Sequence, residues 1–148
     1  METLVENKKV RLNYEILQTF DAGIELFGHE VKSLRNKHGS LEGAHVVARG
    51  GEAYLLNATI PPYQPKNTPK DYEPNRNRRL LLTKKEIKEL VGIEHQRGLT
   101  IVPISVYNGG KSLKLHFAAV RGKKKIDKRE DLKKRDSERE MRRTLKRE

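Results

Sequence analysis

The 148-residue sequence contains no cysteine and no tryptophan. Without thiols there is neither a disulfide framework nor a thiolate metal site, a pattern suited to a reducing cytosol. Aromatic residues are also scarce, with five tyrosines and three phenylalanines. A core must claim several of these, which argues against an aromatic-rich platform for single-stranded bases. Apolar residues make up 34% of the chain, below the usual globular share. No apolar run approaches the roughly 20 residues that span a bilayer. The opening Met1-Glu2-Thr3-Leu4-Val5-Glu6-Asn7-Lys8-Lys9 lacks the plan of a secretory signal. The expectation is a soluble cytoplasmic protein without a membrane partner.

Catalytic signatures are missing too. There is no phosphate-binding Gly-x-x-x-x-Gly-Lys-Ser/Thr loop, no Gly-x-Ser-x-Gly elbow and no carboxylate cluster of the nuclease kind. His29, His38, His45, His95 and His116 are scattered without metal-ligand spacing. The sequence therefore predicts no enzyme, no catalytic residue, no cofactor and no metal.

What the chain has is positive charge. Its net charge is +12, and the 28 residues from Arg121 to Glu148 hold 14 basic and seven acidic side chains. A folded body with a long cationic arm is built to grip a polyanion. This division predicts two parts, residues 1–120 as a folded domain and 121–148 as a basic tail. In the tail only Ile126, Leu132, Met141 and Leu145 are apolar, too few to bury a face, so disorder is expected when it is free. No Gly or Pro follows Gly122, and Glu130–Lys134, Asp131–Arg135 and Glu138–Arg142 are spaced as helical ion pairs. Each contributes about 0.2–0.5 kcal/mol, so a helix that forms on binding is expected.

The first 120 residues read as strands. The opening six residues predict no structure, and Val10 to Phe27 predicts strand with a turn or bulge at Ala22-Gly23. Glu30 to Arg35 predicts a short helix. Strands are expected at 44–48 and 53–57, joined by Gly50-Gly51. The five prolines between Pro61 and Asn77 predict a long irregular loop. Thr83-Lys84-Lys85-Glu86 fits a capping box opening a helix over 84–91, with Gly92 as its stop. Leu99 to Tyr107 predicts a strand in which Pro103 marks an edge or a bulge. After an Asn108-Gly109-Gly110 turn, the returning strand places Leu113, Leu115, Phe117 and Ala119 inward and Lys114 and His116 outward. About six antiparallel strands with two or three short helices predict a mainly-β, closed oligonucleotide-binding-type barrel.

Binding groups are plentiful. Arg78 and Arg79, in the run Arg76-Asn77-Arg78-Arg79, read as a cationic cluster for RNA. Lys114 projects from a strand, and Tyr63 and Tyr72 are placed to stack on bases. Phosphate and shape recognition of folded RNA fits this composition better than base reading.

The segments Asn7-Lys8-Lys9-Val10-Arg11, Phe20-Asp21-Ala22-Gly23-Ile24, Glu30-Val31-Lys32-Ser33-Leu34-Arg35, Arg78-Arg79-Leu80-Leu81-Leu82 and Arg121-Gly122-Lys123-Lys124-Lys125 with Asp127-Lys128-Arg129 closely resemble the small protein B family of bacterial tmRNA (SsrA RNA)-binding proteins. They occur in the family's order and spacing over almost the whole chain. The resemblance implies an oligonucleotide-binding-type barrel that holds the tRNA-like domain of tmRNA in trans-translation, the rescue of stalled ribosomes. It implies RNA contacts at Asn7, Asp21, Leu81 and Lys114, with Asp21 standing where glutamate is usual. It also implies that Arg121, Lys123, Lys124, Lys125, Ile126, Asp127, Lys128 and Arg129 engage the small ribosomal subunit. There the tail would meet the decoding centre and empty message channel and become helical. Ile126 stands where relatives commonly carry histidine or tyrosine.

The resulting expectation is a monomeric RNA-binding adaptor with tmRNA and small-subunit RNA as partners, one protein per RNA. The alternative is a ribosomal component or translation factor that binds ribosomal RNA constitutively.

Overall fold

The computed structural model describes residues 2–123. The expectations for Lys124, Lys125, Ile126, Asp127, Lys128 and Arg129 therefore lie outside the described residues, as do those for the rest of the tail.

Seven strands form one antiparallel sheet: β1 (Thr3–Glu6), β2 (Tyr14–Ile24), β3 (His45–Arg49), β4 (Glu52–Leu56), β5 (Arg78–Leu81), β6 (Leu99–Asn108) and β7 (Leu113–Gly122). Their hydrogen-bonded order is β1-β6-β7-β2-β5-β4-β3. Among the described residues three α-helices accompany it, α1 (Val10–Asn13), α2 (Gly28–Arg35) and α3 (Lys84–Glu94). The fold is mainly β with few helices, as expected, but the closed six-stranded barrel is corrected. Among the described residues there are seven strands, and the ladder ends at β1 on one side and β3 on the other.

The extra strands explain the miscount. The first residues are not structureless, because Leu4 and Val5 are buried and β1 pairs with β6 from Tyr107 to Ser105. The stretch Arg78–Leu81 at the end of the long loop is the other missed strand, pairing with both β2 and β4. The stretch from Val10 opens with the turn of α1, and β2 then runs unbroken through Ala22 and Gly23, paired with β7. Within the loop the regular structure is a 3₁₀ turn at Pro65–Asn67. Gly50 and Gly51 have φ of 58° and 77°, the positive values that a tight two-residue hairpin turn needs. Pro103 marks a bulge and not an edge, since β6 lies between β1 and β7 and its register with β7 shifts between Pro103 and Ser105.

The main core includes the fully buried Leu55, Leu80, Leu90, Leu115 and Phe117. Phe20 and Phe117 stack there with ring centroids 5.4 Å apart. A second, smaller cluster of Val10, Val102, Ile104, Ala118 and Val120 lies apart from it, with Tyr14 and Ile16 packed alongside. Residues 117–120 of β7 are thus buried on both faces, and the alternation of buried and less buried positions holds only through Phe117.

Helix α3 begins as expected. The Thr83 hydroxyl accepts from the Glu86 amide at 3.2 Å, and the Glu86 carboxylate accepts from the Thr83 amide at 3.1 Å. It does not stop at Gly92 but continues to Glu94. Glycine costs a helix about 1 kcal/mol, and contacts of the last turn offset it. Ile93 is buried. Glu94 Oε1 accepts from the Ala48 amide at 2.6 Å, and its Oε2 accepts from Arg49 at 2.9 Å.

Candidate nucleic-acid interface

Strand register assembles the candidate face. Lys114 on β7 stands opposite Tyr107 of β6 and Gly23 of β2, and Gly23 stands opposite Leu81 of β5. One step along β2, Asp21 faces His116, which faces Ser105. Side chains two apart on a strand share a face, so Asp21 lies on the same side as this row. Residues 21, 81 and 114, far apart in sequence, thus meet on one outward surface.

Leu81 is 53% exposed, an apolar side chain left in solvent beside a cation. A Cβ at Gly23 would sit 3.2 Å from Leu81 Cδ1, so the bare glycine lets Leu81 lean across the row. Lys114 has no ion-pair partner among the described residues. Asp21 Oδ1 accepts from the Tyr107 hydroxyl at 2.9 Å and lies 3.0 Å from His116 Nδ1. An ionised carboxylate only accepts, so His116 Nδ1 carries the hydrogen. Burial, then the hydrogen bond and charge of Asp21, push the Tyr107 hydroxyl upward in pKa.

Asn7 stands apart from this group. It follows β1, on the far side of β6 from β7, where its amide donates to the Ile104 carbonyl at 2.7 Å. Its Nδ2 donates to the carbonyls of Leu41 at 3.3 Å and Pro103 at 3.2 Å. It lines a cleft of about 520 Å³ with Lys9, Asn13, Tyr14 and His45.

Arg78 is a correction. It is fully buried, with Nε and Nη2 on Glu30 Oε2 at 3.0 and 2.7 Å and Nη1 on the Ala58 carbonyl at 2.8 Å. A guanidinium so engaged is a structural bolt, unavailable to phosphate in this fold. Arg76 holds the same carboxylate from the other side, with its guanidinium 4.0 Å above the Phe27 ring. Tyr72, expected to stack on a base, is drawn into this lock. Its hydroxyl lies 2.9 Å from Glu30 Oε2 and 2.8 Å from the Ile60 carbonyl oxygen, and accepts from Arg78 at 3.1 Å. Tyr63 remains exposed. Arg79 points outward, but Glu52 at 2.8 Å and Glu25 at 3.3 Å offset its charge.

Arg121 is exposed on β7, opposite Glu15 and Leu99. Lys123 donates its backbone amide to the Asn13 carbonyl at 2.9 Å, which ties the start of the tail to α1. Sequence reasoning missed the partners of Asp21. His116 reads as outward from its alternation, but only the β2–β7 register reveals that it faces Asp21.

A carboxylate held by two donors, a lysine without an ion-pair partner among the described residues and an exposed leucine share one face of a small mainly-β protein, an arrangement suited to binding. The chain belongs to the SmpB protein family, whose sequence model matches residues 4–147. It is similar to the SsrA-binding protein of Microcystis aeruginosa, with 44% identity over 147 residues, 99% of this chain and 96% of that protein. Its identity to the SsrA-binding protein of Thermosipho africanus is 45% over 148 residues, 99% of each. A chain of a solved structure, "tmRNA-SmpB: a journey to the center of the bacterial ribosome", matches with a TM-score of 0.68 and 43% identity. The match covers 81% of this chain and 84% of that one.

Proposed function

We propose that this chain is an RNA-binding adaptor that holds the tRNA-like domain of tmRNA and brings it to stalled ribosomes for trans-translation in the cytoplasm. The sheet, of oligonucleotide-binding type, supplies the RNA face. The basic tail from Arg121 onward engages the decoding centre and the empty message channel. The observation that carries this reading is the meeting of Asp21, Leu81 and Lys114 on one outward face of a chain that matches SmpB proteins over nearly its whole length. Unpaired cations take phosphates, a carboxylate takes hydroxyl or amino donors, and leucine takes the flat side of a sugar or base. Arg79, half-neutralised by Glu25 and Glu52, serves at the margin of this face, and Asn7 marks a second contact beside the cleft.

The test is competition. Binding of the intact chain to tmRNA should survive a large excess of ordinary tRNA at one fixed, near-physiological salt concentration, since salt alone changes such affinities by orders of magnitude. Equal displacement by tRNA would reduce the chain to a general cationic RNA binder.

A further inference from the structure

The two oxygens of Asp21 are not equivalent. Oδ1 is occupied by Tyr107 and His116, at 2.9 and 3.0 Å. Each carboxylate oxygen has about two acceptor positions, so Oδ1 is full. The same two contacts stop the carboxylate from rotating, and they leave Oδ2 as an acceptor aimed by the sheet. The side chain is 50% exposed, so a ligand can reach it.

A carboxylate repels phosphate, so the group it receives must donate a hydrogen. Lys114 stands diagonally across, opposite Gly23, on the same face. Such diagonal neighbours are about 7–8 Å apart at their Cα atoms, within reach of a lysine ammonium. The ligand must therefore offer a donor and an anion close together. An RNA ribose does so, with its 2′-hydroxyl beside its own 3′-phosphate. A base edge would satisfy Asp21 and leave Lys114 without its anion. Between the two groups Gly23 presents no side chain, and Leu81 offers an apolar edge to the sugar carbons.

We propose that Asp21 and Lys114 together read one ribose–phosphate step of RNA, Asp21 Oδ2 accepting from the 2′-hydroxyl and Lys114 pairing with the adjoining phosphate, with Tyr107 and His116 as positioning residues. This deepens the adaptor reading and rests on it for the identity of the RNA. It makes the face a sensor of ribose against deoxyribose that is indifferent to base.

The experiment uses the full chain and a synthetic tRNA-like domain of tmRNA in which single riboses carry 2′-fluorine. Fluorine preserves the sugar's RNA-like pucker and cannot donate. At one or two positions the intact protein should bind about tenfold more weakly, as expected for losing a hydrogen bond to a charged group. Asp21→Ala should bind weakly throughout and show no further loss at those positions. Tyr107→Phe and His116→Ala should each shrink the fluorine effect. His116→Asn, whose amide can reach where Nδ1 stands, should restore it, an outcome that a merely structural histidine would not produce. Lys114→Ala should weaken binding while keeping the fluorine effect. A scan flat at every position overturns the proposal. So does a loss on replacing a guanosine by inosine that vanishes in Asp21→Ala, because that places a base edge at Oδ2. The scan is read within one RNA, so its failure is separate from a failure to prefer tmRNA over tRNA.

Discussion

Glu30 combines full burial with direct contact to two guanidiniums. Burial, the largest single influence, works to raise its pKa. Hydrogen bonds from Arg76, the Phe27 amide and Arg78 outweigh it and bring the value from 4.5 down to about 2. A depressed acid stabilises the fold above its unfolded value and loses that contribution as pH falls through the folded one. Stability measured by chemical denaturation should therefore decline as pH drops from 4.5 toward 2. In Glu30→Gln two arginines face a neutral amide, and stability at neutral pH should fall by about 3–5 kcal/mol, the usual cost of breaking a buried pair. That variant should also lose most of the decline at acid pH. A variant as stable as the parent would mean that the lock contributes nothing. The misreading of Arg78 has a physical cause at this scale. In a strand Arg78 and Arg79 point to opposite faces, and Arg78 shares its inward side with the fully buried Leu80. Without the strand assigned, the two arginines look alike.

At the scale of elements, legibility followed local chemistry. The capping box of α3, the Gly50-Gly51 turn and the inward residues of β7 are set by neighbours in sequence, and they were readable there. The start of β1, the length of α3 and the course of β2 through Gly23 depend on partners far away, and they were not. Helix α3 gives a clean test. Gly92 lies in its last turn, is exposed, and a Cβ there would meet nothing within 4 Å. Since Glu94 and Ile93 hold that turn in place regardless, Gly92→Ala should stabilise the protein by about 0.4–1 kcal/mol in thermal or denaturant unfolding. Destabilisation instead would show that the turn relies on glycine's freedom and not on its tertiary anchors.

At the scale of the whole molecule, the division of labour between sheet and tail sets a further expectation. Strand β7 ends at Gly122, and the Lys123 amide closes onto Asn13. A chain ending at Lys123 should therefore keep the thermal stability of the intact protein and bind the tRNA-like domain nearly as well, yet fail to support rescue in a stalled-ribosome assay. Full rescue by that truncation would remove the tail from the mechanism. The candidate site was legible only in part at this scale. Asp21, Leu81 and Lys114 were named through the family resemblance, but their adjacency depends on the pairing of three strands, and no local pattern encodes the clasp on Asp21.

The unclosed sheet also bears on how copies of this chain meet one another in a crowded solution. An exposed sheet margin is a template on which a second polypeptide can zip, the first step toward aggregation. On β3 that template is interrupted, because the Ala48 amide already donates to Glu94, a carboxylate delivered from α3. A neighbour approaching edge-on meets a satisfied donor and an acidic group where it needs an open one. The same helix end that outruns its glycine thus takes up one of the hydrogen-bonding positions that a second strand would need along β3.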